Sequence, residues 1–543
     1  EGGPMHSPPR SARPSRPPRA TLSSRPAHPS RSSLPSRPAR PSRPTPWLAL
    51  VTLVALADAS CATDPAPRAP SPAPDAPPAA AAPAPPPATA RVAPLVRTDA
   101  VMGTIEDEAR QVLEGLVAVD TSHGGETAAL RPVAERLTRA GLAAEIVESA
   151  PGRGNLIARL KGSGAKRPLL LLAHIDVVPV EGQPWTVPPF KLTEKDGYLY
   201  GRGVGDDKGM AAAIVAVALE LARSKAALSR DVIVALTAGE ETGGAEGVRW
   251  LVQNRRELID AEIALNEGGA LTLTDDLGGL RVVNVGAAEK TFQSFRLKVK
   301  GPGGHSSVPP TDVDPVRTLA RALGRVADYK FNPHVVPAVK SWLGLAATWE
   351  KDPLAGAMRR AAQGAPAVSA ADAGRLAADR LYNASVRTTC VTTMLQGSPQ
   401  DNVLPTTAEA TVNCRILPDE TREATRAALA RAIGDAAVEV TPLDDIGAGG
   451  ESPVEGEVMD AVRRVANATW PGVPVVASMG TGATDSRHLR AAGMRAYGLG
   501  VMPISQADAR AGYGAHGPDE RRAARWVGPG VRFLRDVTLA LTR

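Results

Sequence analysis

Three short apolar runs in this chain each end on a histidine or an acid, and that leaves few folds open to it. Leu169 to Ala173 runs into His174, Ile175 and Asp176; Asp231 to Thr237 runs into Gly239, Glu240 and Glu241; Ala261 to Leu265 runs into Asn266 and Glu267. Apolar runs of this length, bounded by Gly or Pro, predict buried strands. Between the first two lies an Ala-rich stretch, Gly209 to Ser224, which predicts a helix starting just after Asp206. Upstream, helical periodicity covers Glu106 to Leu116 and Glu126 to Ala140, and Leu156 to Leu160 reads as a further strand. Alternating strands and helices predict an α/β sheet with helices on both faces. Such sheets bind ligands at the carboxyl ends of their strands, where these acids and the histidine fall.

The pattern changes near Glu289. Phe292 to Val299 alternates apolar and polar residues and predicts a half-exposed strand. Pro315 to Ala327 predicts a helix, Ala408 to Leu417 a less regular strand, Glu423 to Ala437 a helix and Val438 to Thr441 a strand. This predicts an α+β insert over 289–448, with an extra helical excursion at 336–382. The α/β pattern resumes near Pro453, with a helix over Val458 to Thr469, strands at Val473 to Ala477 and Ala496 to Leu499, and a last helix from Gly528. The expected organisation is a catalytic domain over 97–288 and 449–543, interrupted by the insert.

Ahead of these domains, composition excludes a core. Of the 50 prolines, 25 fall in residues 1–100, which predicts a disordered basic leader over 1–46 and a Pro/Ala tether over 62–96. Residues 1–46 hold nine Arg against one acid, Glu1, and the chain as a whole is +6. The remainder is therefore near −2, so the basic pI is no sign of a nucleic-acid partner. Trp47 to Ala57 is too short to span a bilayer and, with 47–61 as a unit, reads as an export signal. Cys61 is a candidate lipid-anchored residue, although Asp58 departs from the Leu usual at that spacing. This predicts an exported protein, periplasmic or attached to the cell envelope. Cys390 and Cys414 either pair after export or remain two free thiols.

Taken singly, the polar motifs are weak. A lone histidine after an apolar run is most often structural, and Glu240-Glu241 alone could be surface charge. Gly201-Arg202-Gly203-Val204-Gly205 before a helix could cradle phosphate, but Asp206 and Asp207 would repel it there. Together with Gly514-Ala515-His516-Gly517, however, the motifs supply neutral imidazoles and carboxylates. Those are the usual ligands of zinc-like cations, with a spare carboxylate to act as base.

The set resembles the co-catalytic zinc hydrolase family of aminoacylase, carboxypeptidase G, carboxypeptidase S, acetylornithine deacetylase and succinyl-diaminopimelate desuccinylase. The resemblance implies a central mixed sheet flanked by helices, with an inserted ferredoxin-like α+β lid that also dimerises. It implies two divalent metal ions, Zn2+ before Co2+ or Mn2+. His174 and Glu267 would hold one and His516 and Glu241 the other, with Asp206 between them and a cis peptide to Asp207. Glu240 would be the general base and Asp176 would hold His174. His305, in Gly303-Gly304-His305-Ser306-Ser307, would act on the partner subunit's site; Asn402 and Arg415 would bind the substrate carboxylate. Thr484-Asp485-Ser486 would line the pocket. His6, His28, His123, His334 and His488 match no motif and read as structural or exposed. The implied activity is cleavage of a small peptide or N-acyl amino acid to release an amino acid with a free carboxylate. The alternatives are an aminopeptidase or dipeptidase of the same family, or an inactive binding module on its fold.

Overall fold

The computed structural model describes residues 102–274, 278–364, 368–443 and 449–543. The leader, the export segment with Cys61 and the tether lie outside the described residues. No helix among the described residues is long and apolar enough to cross a membrane.

The three acid-bearing runs form the middle of a ten-stranded mixed sheet. Leu169–His174 lies between Val232–Thr237 and Ile263–Asn266 and runs parallel to both. All three strands are buried along their length, as a parallel sheet covered on both faces requires. Alternate residues feed different layers. Leu169, Leu171, Val232, Val234, Ile263 and Leu265 join the core beneath the Lys208–Ser224 and Val527–Thr542 helices. Leu170, Leu172, Ile233, Ala235 and Ala264 pack against Val248, Leu251 and Leu489 on the opposite face. Beyond this centre the sheet turns antiparallel on one side, through Arg153–Leu160 and then Ala143–Ala150. On the other side Arg495–Gly498 adds in parallel, and Leu280–Glu289 follows it antiparallel.

The second sheet is antiparallel, in the order Thr389–Gln396, Thr407–Ile416, Thr291–Lys300, Val438–Pro442. With helices Pro315–Asp328 and Arg422–Ile433 on one face, this is a βαββαβ, ferredoxin-like layer. Thr407–Ile416 alternates strictly between part-buried and buried positions, more regularly than its sequence suggests, because its small Ala residues also face the helices. Cys390 and Cys414 stand directly opposite one another on neighbouring strands and form a disulfide.

The helical excursion packs differently from its expected place in the insert. Pro337–Ala346, Leu354–Gln363 and Ala370–Leu376 send Val339, Leu343, Met358 and Leu376 into the core of the large sheet. Ser341 also donates to the Ala477 carbonyl at 3.2 Å. Sequence order put these helices with the insert, but their apolar faces are buried against the catalytic layer.

Candidate metal centre

Each ligand-type side chain sits where a strand stops. His174 is the last residue of its strand, and Glu267 directly follows the Ile263–Asn266 strand. Gly239, at φ 67°, turns the chain after Val232–Thr237 so that Glu240 and Glu241 lie over the sheet edge. Because these strands are adjacent and parallel, their ends converge. The Gly203–Asp207 loop, ahead of the Lys208–Ser224 helix, brings Asp206 over them from one side. His516 arrives from a loop near the C-terminus.

The resulting contacts pair up. Asp206 Oδ1 lies 3.1 Å from His174 Nε2 and its Oδ2 lies 3.2 Å from His516 Nε2. Glu267 is 3.8 Å from His174 Nε2, and Glu241 is 3.1 Å from His516 Nε2. Glu240 offers an oxygen within 4.8 Å of ligand atoms of His174 and Glu267. Asp176 ties the parts together: its two oxygens accept the backbone N–H groups of Glu240 and Glu241 at 3.1 and 3.0 Å, and Oδ1 lies 3.5 Å from His174 Nδ1. The Asp206–Asp207 peptide is cis.

The electrostatics show a centre short of positive charge. Burial, reinforced by neighbouring carboxylates, raises Glu240 to about 8 and holds Glu267 and Asp207 well above the usual carboxylate range. Burial would raise Asp206 too, but hydrogen bonds from the two imidazoles hold it well below that range. The same bonds from Asp206 and Glu241 raise His516 to about 10. Imidazole nitrogens and carboxylate oxygens crowded with too little cationic charge suit divalent cations. His174, Asp206 and Glu241 form one cluster able to hold a metal ion, and His174, Glu240 and Glu267 another.

Other expected site residues lie elsewhere. His305 is exposed and bonds Ser307 at 2.8 Å; its strand pairs with Val403–Leu404, and the carbonyl of exposed Asn402 accepts from Ser306. Arg415 is half-buried on the lid sheet, 4.7 Å over the Phe292 ring. Thr484 and Ser486 turn toward Glu289 and Asn266, while Asp485 is buried. None of the three is among the residues lining the cavity beside Asp206. His488 is buried beside the Gly243 carbonyl, and burial lowers it to about 4. His334 bonds Asp419 at 2.9 Å.

Two contributors carried no sequence signal. Glu520, fully buried, accepts from the backbone N–H groups of Gly203, Gly205 and Asp206 and from Arg202 at 2.7–3.1 Å, so it shapes the loop that presents Asp206. Arg487 is 7 % exposed; its Nε lies 3.2 Å from His488 Nε2, and its charge depresses the pKa of Arg415 after burial has done so. Arg487 directly follows the Thr484-Asp485-Ser486 run and Glu520 comes shortly after His516, but nothing local marks either residue as part of a site.

Strand-end acids, two imidazoles and a carboxylate shared between them define the class: a metal-dependent hydrolase on an α/β sheet. The chain belongs to peptidase family M20/M25/M40, whose signature matches residues 170–540. It is 31% identical over 328 residues to the N-fatty-acyl-amino acid synthase/hydrolase of Xenopus tropicalis, an alignment covering 59% of this chain and 62% of that protein. The chain thus spans less than two thirds of that relative's length. It is 33% identical over 225 residues to the succinyl-diaminopimelate desuccinylase of Delftia acidovorans, covering 40% of this chain and 56% of that one. In fold it is similar to an M20 family metallo-carboxypeptidase of Sulfolobus solfataricus, with a TM-score of 0.59 and 18% identity over 80% of this chain and 99% of the other.

Proposed function

We propose that this protein hydrolyses the amide bond of an N-acyl amino acid or small peptide and releases an amino acid with a free carboxylate. One observation carries the reading: the two oxygens of Asp206 face two different imidazoles at near-equal distance. That geometry suits a carboxylate bridging two divalent cations, Zn2+ first among them given the nitrogen and oxygen donors. His174 and Glu267 would hold one cation, and His516 and Glu241 the other. When bound, the pair acidifies a water and polarises the scissile carbonyl.

Glu240 is left as the base. It shares the second cluster with His174 and Glu267, but those two, with His516 and Glu241, already pair off around Asp206. As a carboxylate it would take a proton from the attacking water and, once protonated, return it to the leaving amine. Asp176 fixes the Glu240–Glu241 backbone and orients His174. Arg415 and Arg487 would hold the substrate carboxylate, since a guanidinium matches it bidentately, and Asn402 would assist from the lid.

His305 and Asn402 sit on an exposed part of the lid, which supports action in a partner's site. Val391, Met394 and Leu395 on the Thr389–Gln396 edge strand are 59%, 56% and 66% exposed. An uncovered apolar edge strand suits pairing with a second copy. The Cys390–Cys414 disulfide supports export to an oxidising compartment. The test is Glu240→Gln, assayed with N-acyl amino acids and dipeptides after loading with Zn2+, Mn2+ or Co2+. Turnover should fall by at least a thousandfold with metal content unchanged; near wild-type turnover would remove Glu240 from the mechanism.

A further inference from the structure

The two cation sites proposed above are held in different ways. His174 ends a central strand and Glu267 directly follows another, so the sheet itself fixes both. His516 stands on a loop, at φ 69°, with an exposed side chain. Asp206 stands on another loop, just ahead of the helix that starts at Lys208. These loops are far apart in the chain and neither is a strand. Something other than the sheet must set the 3.2 Å between Asp206 Oδ2 and His516 Nε2.

One buried ion pair reaches both loops. Arg202 Nη1 meets Glu520 Oε2 at 2.9 Å, and both side chains are buried. On one side, Glu520 accepts the backbone N–H groups of Gly203, Gly205 and Asp206. On the other, Arg202 Nη2 donates to the backbone carbonyl of His516 at 3.4 Å and to Gln183 Oε1 at 2.6 Å. Gln183 Nε2 donates to that same carbonyl at 3.1 Å. The Gln183 oxygen also accepts from the Trp185 indole at 3.0 Å, so two donors fix which way the amide points. From the same segment, Thr186 donates to both oxygens of Asp519 at 2.8 Å, next to Glu520.

We propose that Gln183, Arg202 and Glu520 form a clamp that sets the separation of Asp206 and His516, and through it the affinity of the His516 cation site, while the sheet sets that of the His174 site. The inference rests on the two-cation reading. All three are positioning residues, since each acts through the backbone of a ligand and none is itself one. A site binds its cation tightly only when its ligands are held near the productive geometry by such outer bonds. The His516 imidazole is carried by a backbone whose carbonyl takes two side-chain donors, and one of those donors is ion-paired to the carboxylate that shapes the Asp206 loop. Cutting the clamp on the His516 side frees that imidazole and leaves His174 and Glu267 where the strands put them.

The test is a zinc titration of the metal-free full chain, read by calorimetry and elemental analysis. The wild type should take up two cations. Gln183→Ala should weaken one binding step by about tenfold and leave the other within about threefold. Arg202→Lys keeps a charge opposite Glu520 but not the planar fork, and should weaken the same step by about tenfold or more. Gln183 is half-buried, so its variant carries the test if Arg202→Lys does not fold. His516→Ala identifies the step by removing it; adding Gln183→Ala to that variant should change the remaining step by less than about twofold. Equal weakening of both steps, a further loss in the His516→Ala background, or a Gln183→Ala chain that binds zinc like the wild type would overturn the proposal. Hydrogen exchange on the metal-free chain judges the clamp without any cation. Gln183→Ala should speed exchange over 512–517 by about fivefold or more and leave the 169–174 strand unchanged; unchanged exchange over 512–517 would refute the clamp. A wild-type chain that takes up fewer than two cations would sink the two-cation reading instead, with the clamp still decided by the exchange measurement.

Discussion

Asp176→Asn isolates how the centre is held together. Asp176 contacts no substrate in the proposed reaction; it is a positioning residue that accepts the N–H groups of Glu240 and Glu241 and approaches His174 Nδ1. Asparagine keeps one accepting oxygen and turns an NH2 group toward the other N–H. One charge-assisted hydrogen bond, about 1.5–3 kcal/mol, is lost. If that energy appears as misplacement of Glu240, kcat/KM falls about ten- to a hundredfold at 1.4 kcal/mol per decade. The loss should fall on kcat more than on KM, because the base acts only as the transition state forms. Metal affinity should drop by less, about tenfold at most, since His174 Nδ1 keeps its 3.0 Å bond to the Asp176 backbone carbonyl and loses only the nearby charge. Steady-state kinetics on the zinc-loaded enzyme, with metal titration and a thermal melt to confirm folding, would measure all three effects. A folded variant within twofold of wild type in both kcat/KM and metal affinity would refute the claim that Asp176 organises the site.

Removing the cations should leave uncompensated carboxylates. A chelator should therefore abolish turnover and lower the melting temperature by several degrees, with recovery on adding Zn2+; a chelated protein that melts and turns over unchanged would argue against a metal centre. Mixing inactive His305→Ala and Glu240→Gln chains should restore part of the activity if His305 serves the partner's site, and no recovery despite demonstrated subunit exchange would count against that arrangement. Amidating the substrate carboxylate should reduce kcat/KM by tens-fold or more, because Arg415 and Arg487 would lose their counter-charge. Arg415→Ala should show a similar loss on the free acid and little further loss on the amide; equal cleavage of acid and amide would favour an aminopeptidase instead.

Much of this centre was legible residue by residue because its chemistry sits at strand ends. A buried parallel strand reads as an apolar run, and the polar residue ending it is conspicuous. His174, Glu240, Glu241 and Glu267 could thus be picked out before any contact was known. The strand–helix alternation pointed to the sheet for the same reason: backbone periodicity is local. What local pattern could not reach is pairing. Opposite positions on neighbouring strands, not spacing in the chain, joined Cys390 to Cys414. The helices over 337–376 bury their apolar faces against a sheet formed mostly by distant segments, and no amphipathic pattern says which sheet that is. Glu520 looks like an ordinary acid beside Arg521 until the loop it holds closes over it. The sequence by itself determined which side chains were available to bind cations and that they stood at strand ends. Only the tertiary structure decided that the two oxygens of Asp206 face His174 and His516, because that requires a central strand, the loop before a central helix and a C-terminal segment to meet at the carboxyl ends of the strands.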